Sequence, residues 1–244
     1  MEVIVKNLSK EFKNNLAVDK INFQLKNNQT LGLLGPNGCG KTTTIGMMLG
    51  LIKPTIGEIF IDGKDINSNK RYELLSKINF ASPYVELPKK LSVKENLEVY
   101  GRLYGVEDLD NRIDEISREL KLINFLNKKT GELSSGQKNR VSLAKSLINK
   151  PSLLFLDEPT ASLDPDVGDF VRTYIEDYKT KNDITILLAS HNMSEVERLC
   201  DNIIMMKSGK IVDQGICEDL ISRHGRKNLE ETFLKIVREK NEIS

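Results

Sequence analysis

A chain of 244 residues, 39% of them hydrophobic, can bury a substantial core as one large domain or as a domain carrying a sub-domain. Lys and Arg number 36 against 35 Asp and Glu, so no global charge draws the chain to nucleic acid or to an anionic membrane surface. Cys39, Cys200 and Cys217 are scattered without a CxxC pair, which fits a reducing cytoplasm; the N-terminal MEVIVKNLSK lacks the apolar core of a signal peptide, and no run approaches the ~18 apolar residues of a membrane span.

Between Glu2 and Leu25, Val3 and Val5, then Ile21, Phe23 and Leu25, alternate with polar residues and predict antiparallel strands with one wet face. Leu31–Leu34 reads as a short buried strand and Thr44–Leu49 as the first turns of a helix. Between them runs GPNGCGKTT, Gly35 to Thr43, with the spacing G-x-x-x-x-G-K-[ST] in the strand–loop–helix setting that gives this pattern its meaning. Gly35, Gly38 and Gly40 let the backbone curl, so that the N–H groups of Asn37, Cys39 and their neighbours and the positive end of the helix point at one anion. Lys41 supplies charge for the β- and γ-phosphates, and the hydroxyl of Thr42, followed by Thr43, suits Mg²⁺. The stretch predicts a nucleoside triphosphate site. Cys39 reads as a small residue in a tight space, with a redox role as the alternative.

Glu58–Ile61 followed by Asp62-Gly63 predicts a strand entering a hairpin turn, and Ile78–Ala81 a strand that stops at Ser82-Pro83. Ser92–Leu103 and Asn111–Phe125 carry Val93, Leu97, Val99, Tyr100, Ile113, Ile116, Leu120 and Ile123 at helical spacing, which predicts an inserted helical sub-domain over about residues 85–135. At LSSGQ, a polar turn opens another helix, a second backbone anion cradle with the Ser134 hydroxyl beside it. Two such cradles are hard to place on one nucleotide. The simple resolution is that the second serves a neighbouring copy and that ATP holds a dimer together.

LLFLDEP, Leu153–Pro159, is a buried parallel-type strand ending in two carboxylates. In a phosphate-loop fold Asp157 is placed for Mg²⁺ and Glu158 to polarise the attacking water. Helix Val167–Tyr178, strand Ile184–Ala189 and a helix from Asn192 continue the alternation, with His191 at the strand end where ligands gather, although a lone histidine is more often a core or surface residue. Ile203–Met206 and Lys210–Val212 read as a closing hairpin through Ser208-Gly209. About residues 216–244 form a helical tail, Asn228–Glu239 being amphipathic through Leu229, Phe233, Ile236 and Val237, suited to capping the domain or to meeting a partner. His224 falls in a charged SRHGRK stretch.

GPNGCGKT, LSSGQ, LLFLDEP, the ASLD segment Ala161–Asp164 and His191 together resemble the ATP-binding cassette (ABC) ATPases in order and spacing across nearly the whole chain. LSSGQ discriminates; it is similar to that family's LSGGQ signature, with Ser135 in place of the first glycine. The resemblance implies an α/β phosphate-loop NTPase core with a mixed, largely parallel sheet, an antiparallel N-terminal sub-domain and the helical insert, all within one domain over 1–244. It further implies a head-to-tail homo- or heterodimer with two ATPs held between the loop of one copy and Ser134, Ser135, Gly136 and Gln137 of the other. Phe12 would stack on adenine, Glu158 act as general base, His191 touch the γ-phosphate and Asp164 work across the interface. One departure stands out: where the family has a glutamine after Ile78–Ala81, this chain has Pro83, which offers no side-chain acceptor to Mg²⁺ or water. The single short-tailed cassette looks like an exporter-type subunit, cytoplasmic and held at the inner face of the membrane by separate permease chains. The other expectation is a soluble cassette ATPase of nucleic acid or ribosomes.

Overall fold

The computed structural model describes residues 1–13, 15–68, 71–83 and 85–238, and of Val237 and Arg238 the backbone alone. Glu239, the expected end of the tail helix, and the side chain of Val237 therefore lie outside the described residues, as does the rest of the expected tail to 244. In chain order the elements are β1 (Val3–Phe12), β2 (Asn15–Leu25), β3 (Thr30–Leu34), α1 (Lys41–Met48), β4 (Ile56–Ile61), β5 (Lys64–Asp65), α2 (Arg71–Leu75), β6 (Ile78–Ala81) and α3 (Val93–Leu103). They continue with α4 (Leu109–Glu119), α5 (Ser135–Leu147), β7 (Leu153–Asp157), α6 (Pro165–Lys181), β8 (Thr185–Ser190), α7 (Met193–Leu199), β9 (Asn202–Lys207), β10 (Lys210–Gly215), α8 (Cys217–His224) and α9 (Leu229–Arg238).

The chain divides into two compact units, one of Met1–Leu74 with the residues from Thr185 onward, the other of Leu75–Ile184. In the first, β1 lies antiparallel between β2 and β4, in register Val3↔Leu25 and Val3↔Ile61, and buries Val3, Val5 and Leu8. The β4–β5 hairpin turns at Asp62 and Gly63, and β9–β10 turns at Ser208 and Gly209; both residues of each turn have positive φ, the conformation whose twist matches that of the flanking strands. β3 runs parallel to β8 on one side and to β9 on the other, with all five of its residues buried. A parallel strand buried on both faces needs apolar residues on both, which is why TLGLL is nearly continuous rather than alternating. A further apolar cluster of Leu34, Val196, Ile203, Met205, Leu220, Leu229, Phe233 and Ile236 packs α8 and α9 into this unit.

The second unit pairs β6 and β7 in parallel, Ile78↔Leu153 to Ala81↔Leu156, and carries α3, α4, α5 and α6. Ser92 and Glu95 form a reciprocal capping box at the start of α3. The helix expected over Asn111–Phe125 is shorter. α4 stops at Glu119 because Lys121 takes a left-handed φ of 54°, while Leu122 N–H bonds back to Ser117 O at 2.8 Å. The apolar spacing continued past this break because a 3₁₀ turn, Ile123–Phe125, still buries Phe125, whereas Ile123 is 55% exposed. α8 falls within the helical tail expected from about residue 216 and ends at left-handed Gly225, which separates it from α9.

Lys145 of α5 is buried in this unit, its Nζ donating to Phe80 O at 2.9 Å and lying 5.3 Å from the Tyr100 ring centre. Burial pulls its ammonium from 10.5 down to about 8. Between those values the unfolded chain binds the proton and the folded one does not, so the cost of burying the charge, complete below about pH 8, is relieved as pH rises to about 10.5. Denaturant melts from pH 7.5 to 10.5 should show the wild type gaining up to about 3 kcal/mol relative to Lys145→Met, which has no charge to lose. Parallel curves would show that Lys145 stays charged in the fold.

Candidate functional site

The phosphate loop is set by its glycines. At Gly40 (φ 107°) a Cβ would stand 2.6 Å from Ala17 O, and at Gly35 it would stand 2.5 Å from Cys39 Sγ and 2.6 Å from Met206 O. Gly38 (φ 79°), by contrast, faces open space, with nothing within 4 Å of the Cβ position. The loop is thus packed at both ends and exposed in the middle, at Asn37 and Gly38, where an anion can enter. Because Gly40 at the cap of α1 has no side chain, no side-chain cap competes with a ligand at this helix start. Lys41 is buried, and its Nζ donates to Gly35 O at 2.7 Å and to Pro36 O at 3.3 Å, which holds the ammonium against the loop's own backbone. The Thr42 side chain is exposed, and Thr43 is half-buried. Cys39 packs its sulfur under the loop against Gly35 and donates its N–H to Pro36 O, which agrees with a small space-filling residue.

The same unit places two further expected residues. β1 and β2 meet at the pair Phe12↔Asn15, close in sequence to Ala17, whose carbonyl lies against Gly40; Phe12 is 44% exposed with Lys10 Nζ 4.9 Å from its ring centre. A half-open ring at this hairpin end can take a base on its free face. Leu34 pairs with Ser190, so the phosphate loop and exposed His191 leave adjacent parallel strands at the same level. Ser190 Oγ donates to Glu195 Oε2 at 2.6 Å and accepts from Asn192 N–H at 3.0 Å, which fixes the turn that presents His191.

The carboxylates belong to the second unit. Asp157, the last residue of β7, is 1% exposed and Glu158 5%. Glu158 has φ 54°, a left-handed conformation that costs a side-chain-bearing residue about 1–3 kcal/mol and that gathers at functional positions. Its carbonyl accepts from Ala161 N–H at 3.1 Å, opening the turn that carries the ASLD segment. Asp164 stands exposed ahead of Pro165 and does not cap α6 with its side chain.

Ser134 and Gln137 form a second reciprocal capping box at the head of α5: Gln137 N–H donates to Ser134 Oγ at 3.3 Å, and Ser134 N–H to Gln137 Oε1 at 3.0 Å. This box shapes the exposed turn, with Ser135 as its first helical residue. Gly136 lies where a Cβ would meet Val167 Cγ1 of α6 at 3.2 Å, so α5 packs tightly there. Ser82 is buried and Pro83 exposed, both lining a cavity of about 330 Å³ with Leu133, Ser135 and Ala161.

Sequence reasoning missed two supports of these segments. Gly209 N–H donates to Cys39 O at 3.0 Å and Gly209 O accepts from Asp19 N–H at 2.8 Å, so the β9–β10 turn clasps the phosphate loop. Asn139 of α5 donates to the carbonyl of Pro159, next to Glu158, at 2.6 Å. The tight Ser-Gly turn was visible in the sequence; nothing there signalled its partner.

Among the described residues no group of three or more His, Cys, Asp and Glu could hold a metal, and no helix is long and apolar enough to cross a membrane. Residues 18–161 match the family model described as ABC transporter. The bacitracin transport ATP-binding protein BcrA of Bacillus licheniformis is 38% identical over 235 residues, covering 94% of this chain and 75% of that protein. The ABC transporter ATP-binding protein NatA of Bacillus subtilis (strain 168) is 33% identical over 226 residues, 91% of each. Among solved structures, the ATP-binding subunit of an ABC transporter superposes with a TM-score of 0.89 at 25% identity over 98% of this chain and 100% of that one. A dimeric ATP-binding cassette in a post-hydrolysis state with ADP and Pi gives 0.81 at 27% identity over 88% and 98%.

Proposed function

Because this chain belongs to the ABC transporter family and is an ATP-binding, ATP-hydrolysing subunit of that family, we propose that its two helix-start cradles bind ATP in head-to-tail fashion between two copies. The observation that carries this reading is that one chain has two helix starts bordered by exposed residues, one after Gly38 with no side-chain cap and one at Ser134–Gly136, where the Ser134 side chain takes up the Gln137 N–H. Adenine stacks on the open face of Phe12. The β- and γ-phosphates lie along Gly35, Asn37, Gly38, Cys39, Gly40, Lys41, Thr42 and Thr43, while Ser134, Ser135, Gly136 and Gln137 of the partner copy, with its Asp164, close the cage. His191 meets the γ-phosphate.

The donor chemistry suits Mg²⁺, which keeps most of its waters and takes few protein ligands: the exposed Thr42 hydroxyl and the Asp157 carboxylate would hold it. Bound there, the ion supplies charge that offsets the negative charge on the β- and γ-oxygens. Glu158 accepts a proton from the attacking water as the new O–P bond forms and the bond to the β-phosphate oxygen breaks, ADP leaving with the electron pair. Pro83 takes no part in that proton transfer.

Closure on ATP does work on other chains because ATP binds the closed dimer better than the open one. Those chains are separate membrane-spanning permeases of an exporter, which keep this subunit at the inner face of the membrane. Residues 1–244 act as one catalytic domain in which about 85–135 form the inserted helical sub-domain and about 216–244 the tail. The test uses membranes from cells producing the full chain with Asn37→Cys and Ser135→Cys, the native cysteines being replaced. A thiol crosslinker should join two copies in the membrane fraction when ATP is present and hydrolysis blocked, and not with ADP. Crosslinking that ignores the nucleotide would end the head-to-tail reading, and a chain found away from membranes would end the permease reading.

A further inference from the structure

The signature helix and the carboxylate turn are joined by one side chain. α5 begins at Ser135, so Asn139 stands one turn inside it, on the same helix as the Ser134–Gln137 box. Its amide crosses to the Pro159 carbonyl at 2.6 Å, a short bond for a neutral amide donor. Pro159 follows Glu158, whose left-handed backbone (φ 54°) persists only where its surroundings over-determine it. On one side the turn is closed by Ala161 N–H to Glu158 O at 3.1 Å. Asn139 supplies the hold on the next carbonyl. Proline has no N–H, so the peptide joining Glu158 to Pro159 gives neighbours no donor, and the Pro159 oxygen is the acceptor by which α5 can grip this corner.

We propose that Asn139 is a positioning residue for hydrolysis: by bonding to Pro159 O it holds the Glu158 backbone in the conformation that aims its carboxylate, and it ties that aim to the helix whose start serves the other copy's nucleotide. The inference rests on the roles given above to Glu158 and to the Ser134–Gly136 turn. It accounts for a short bond between segments whose tasks fall at different nucleotides. A shift of α5 as its start engages phosphate moves Pro159 O, and with it the Glu158 turn, so each copy's carboxylate responds to the ATP it helps enclose for its partner.

Two shape-preserving variants of the full chain test this: Asn139→Leu, which has no donor, and Asn139→Asp, whose ionised carboxylate confronts the carbonyl. Both should lower kcat about tenfold while KM for ATP moves less than about threefold. In a Glu158→Gln background, Asn139→Leu should still give an ATP-dependent dimer on size exclusion and should slow hydrolysis no further. A general weakening of α5 would instead raise KM and lose the dimer, and that result overturns the proposal. Wild-type kcat in both variants, with Glu158→Gln inactive, removes the positioning role and leaves the Glu158 assignment standing. Normal turnover by Glu158→Gln removes the assignment itself, and the role of Asn139 with it.

Discussion

Glu158→Gln is expected to lower ATP turnover by at least about a hundredfold and to leave an ATP-bound dimer that does not come apart. The substitution keeps the side chain's shape and its Cβ, so the left-handed backbone at φ 54° is neither relieved nor made worse. What changes is that an amide cannot take a proton from water. Glu158 is 5% exposed, so bulk solvent is poorly placed to take over that role. Since ATP binding favours closure and hydrolysis releases it, the variant should elute as a dimer with ATP and as a monomer with ADP. Phosphate release and size exclusion on the same sample check both halves. A variant that hydrolyses ATP at the normal rate removes Glu158 from the proton transfer.

The next largest effect belongs to Lys41→Ala. The ammonium sits over Gly35 O and Pro36 O, within the loop that the phosphates would enter, and charge-assisted bonds there contribute about 1.5–3 kcal/mol each. Losing two to phosphate should lower kcat/KM for ATP by at least about a hundredfold, each tenfold corresponding to about 1.4 kcal/mol. The buried alkyl stem also packs the loop, so Lys41→Met, which keeps most of that stem, separates packing from charge. Both variants should fail to bind a fluorescent ATP analogue and to form the ATP-dependent dimer. Strong binding by Lys41→Met would assign the lysine a purely structural part.

Ser135 and Pro83 depart from the pattern that the rest of the chain keeps. Ser135 opens α5 as an exposed residue beside a capping box that needs only Ser134 and Gln137, so the local turn does not demand glycine at that point. Gly136 is constrained instead by the closeness of Val167. Exposed Pro83 carries no side-chain amide or carboxylate with which to orient water.

The sequence alone determined the local devices. Spacing set the phosphate loop after a buried strand, the carboxylates at the end of LLFLDEP and the capped turn at LSSGQ, because a glycine's backbone freedom, a helix start and an apolar run each act within a few residues. Asp62-Gly63 and Ser208-Gly209 were legible as turns for the same reason. Tertiary structure decided what those devices lean on. Gly209 against Cys39, Ala17 against Gly40 and Asn139 against Pro159 join residues 20 or more positions apart, and no periodicity encodes which carbonyl a distant N–H will meet. The end of α4 at Glu119 and the break between α8 and α9 at Gly225 were settled in the same way. Apolar spacing reports which residues are buried, but the backbone that buries them can be a helix, a 3₁₀ turn or a sharp break, and only packing chooses among these.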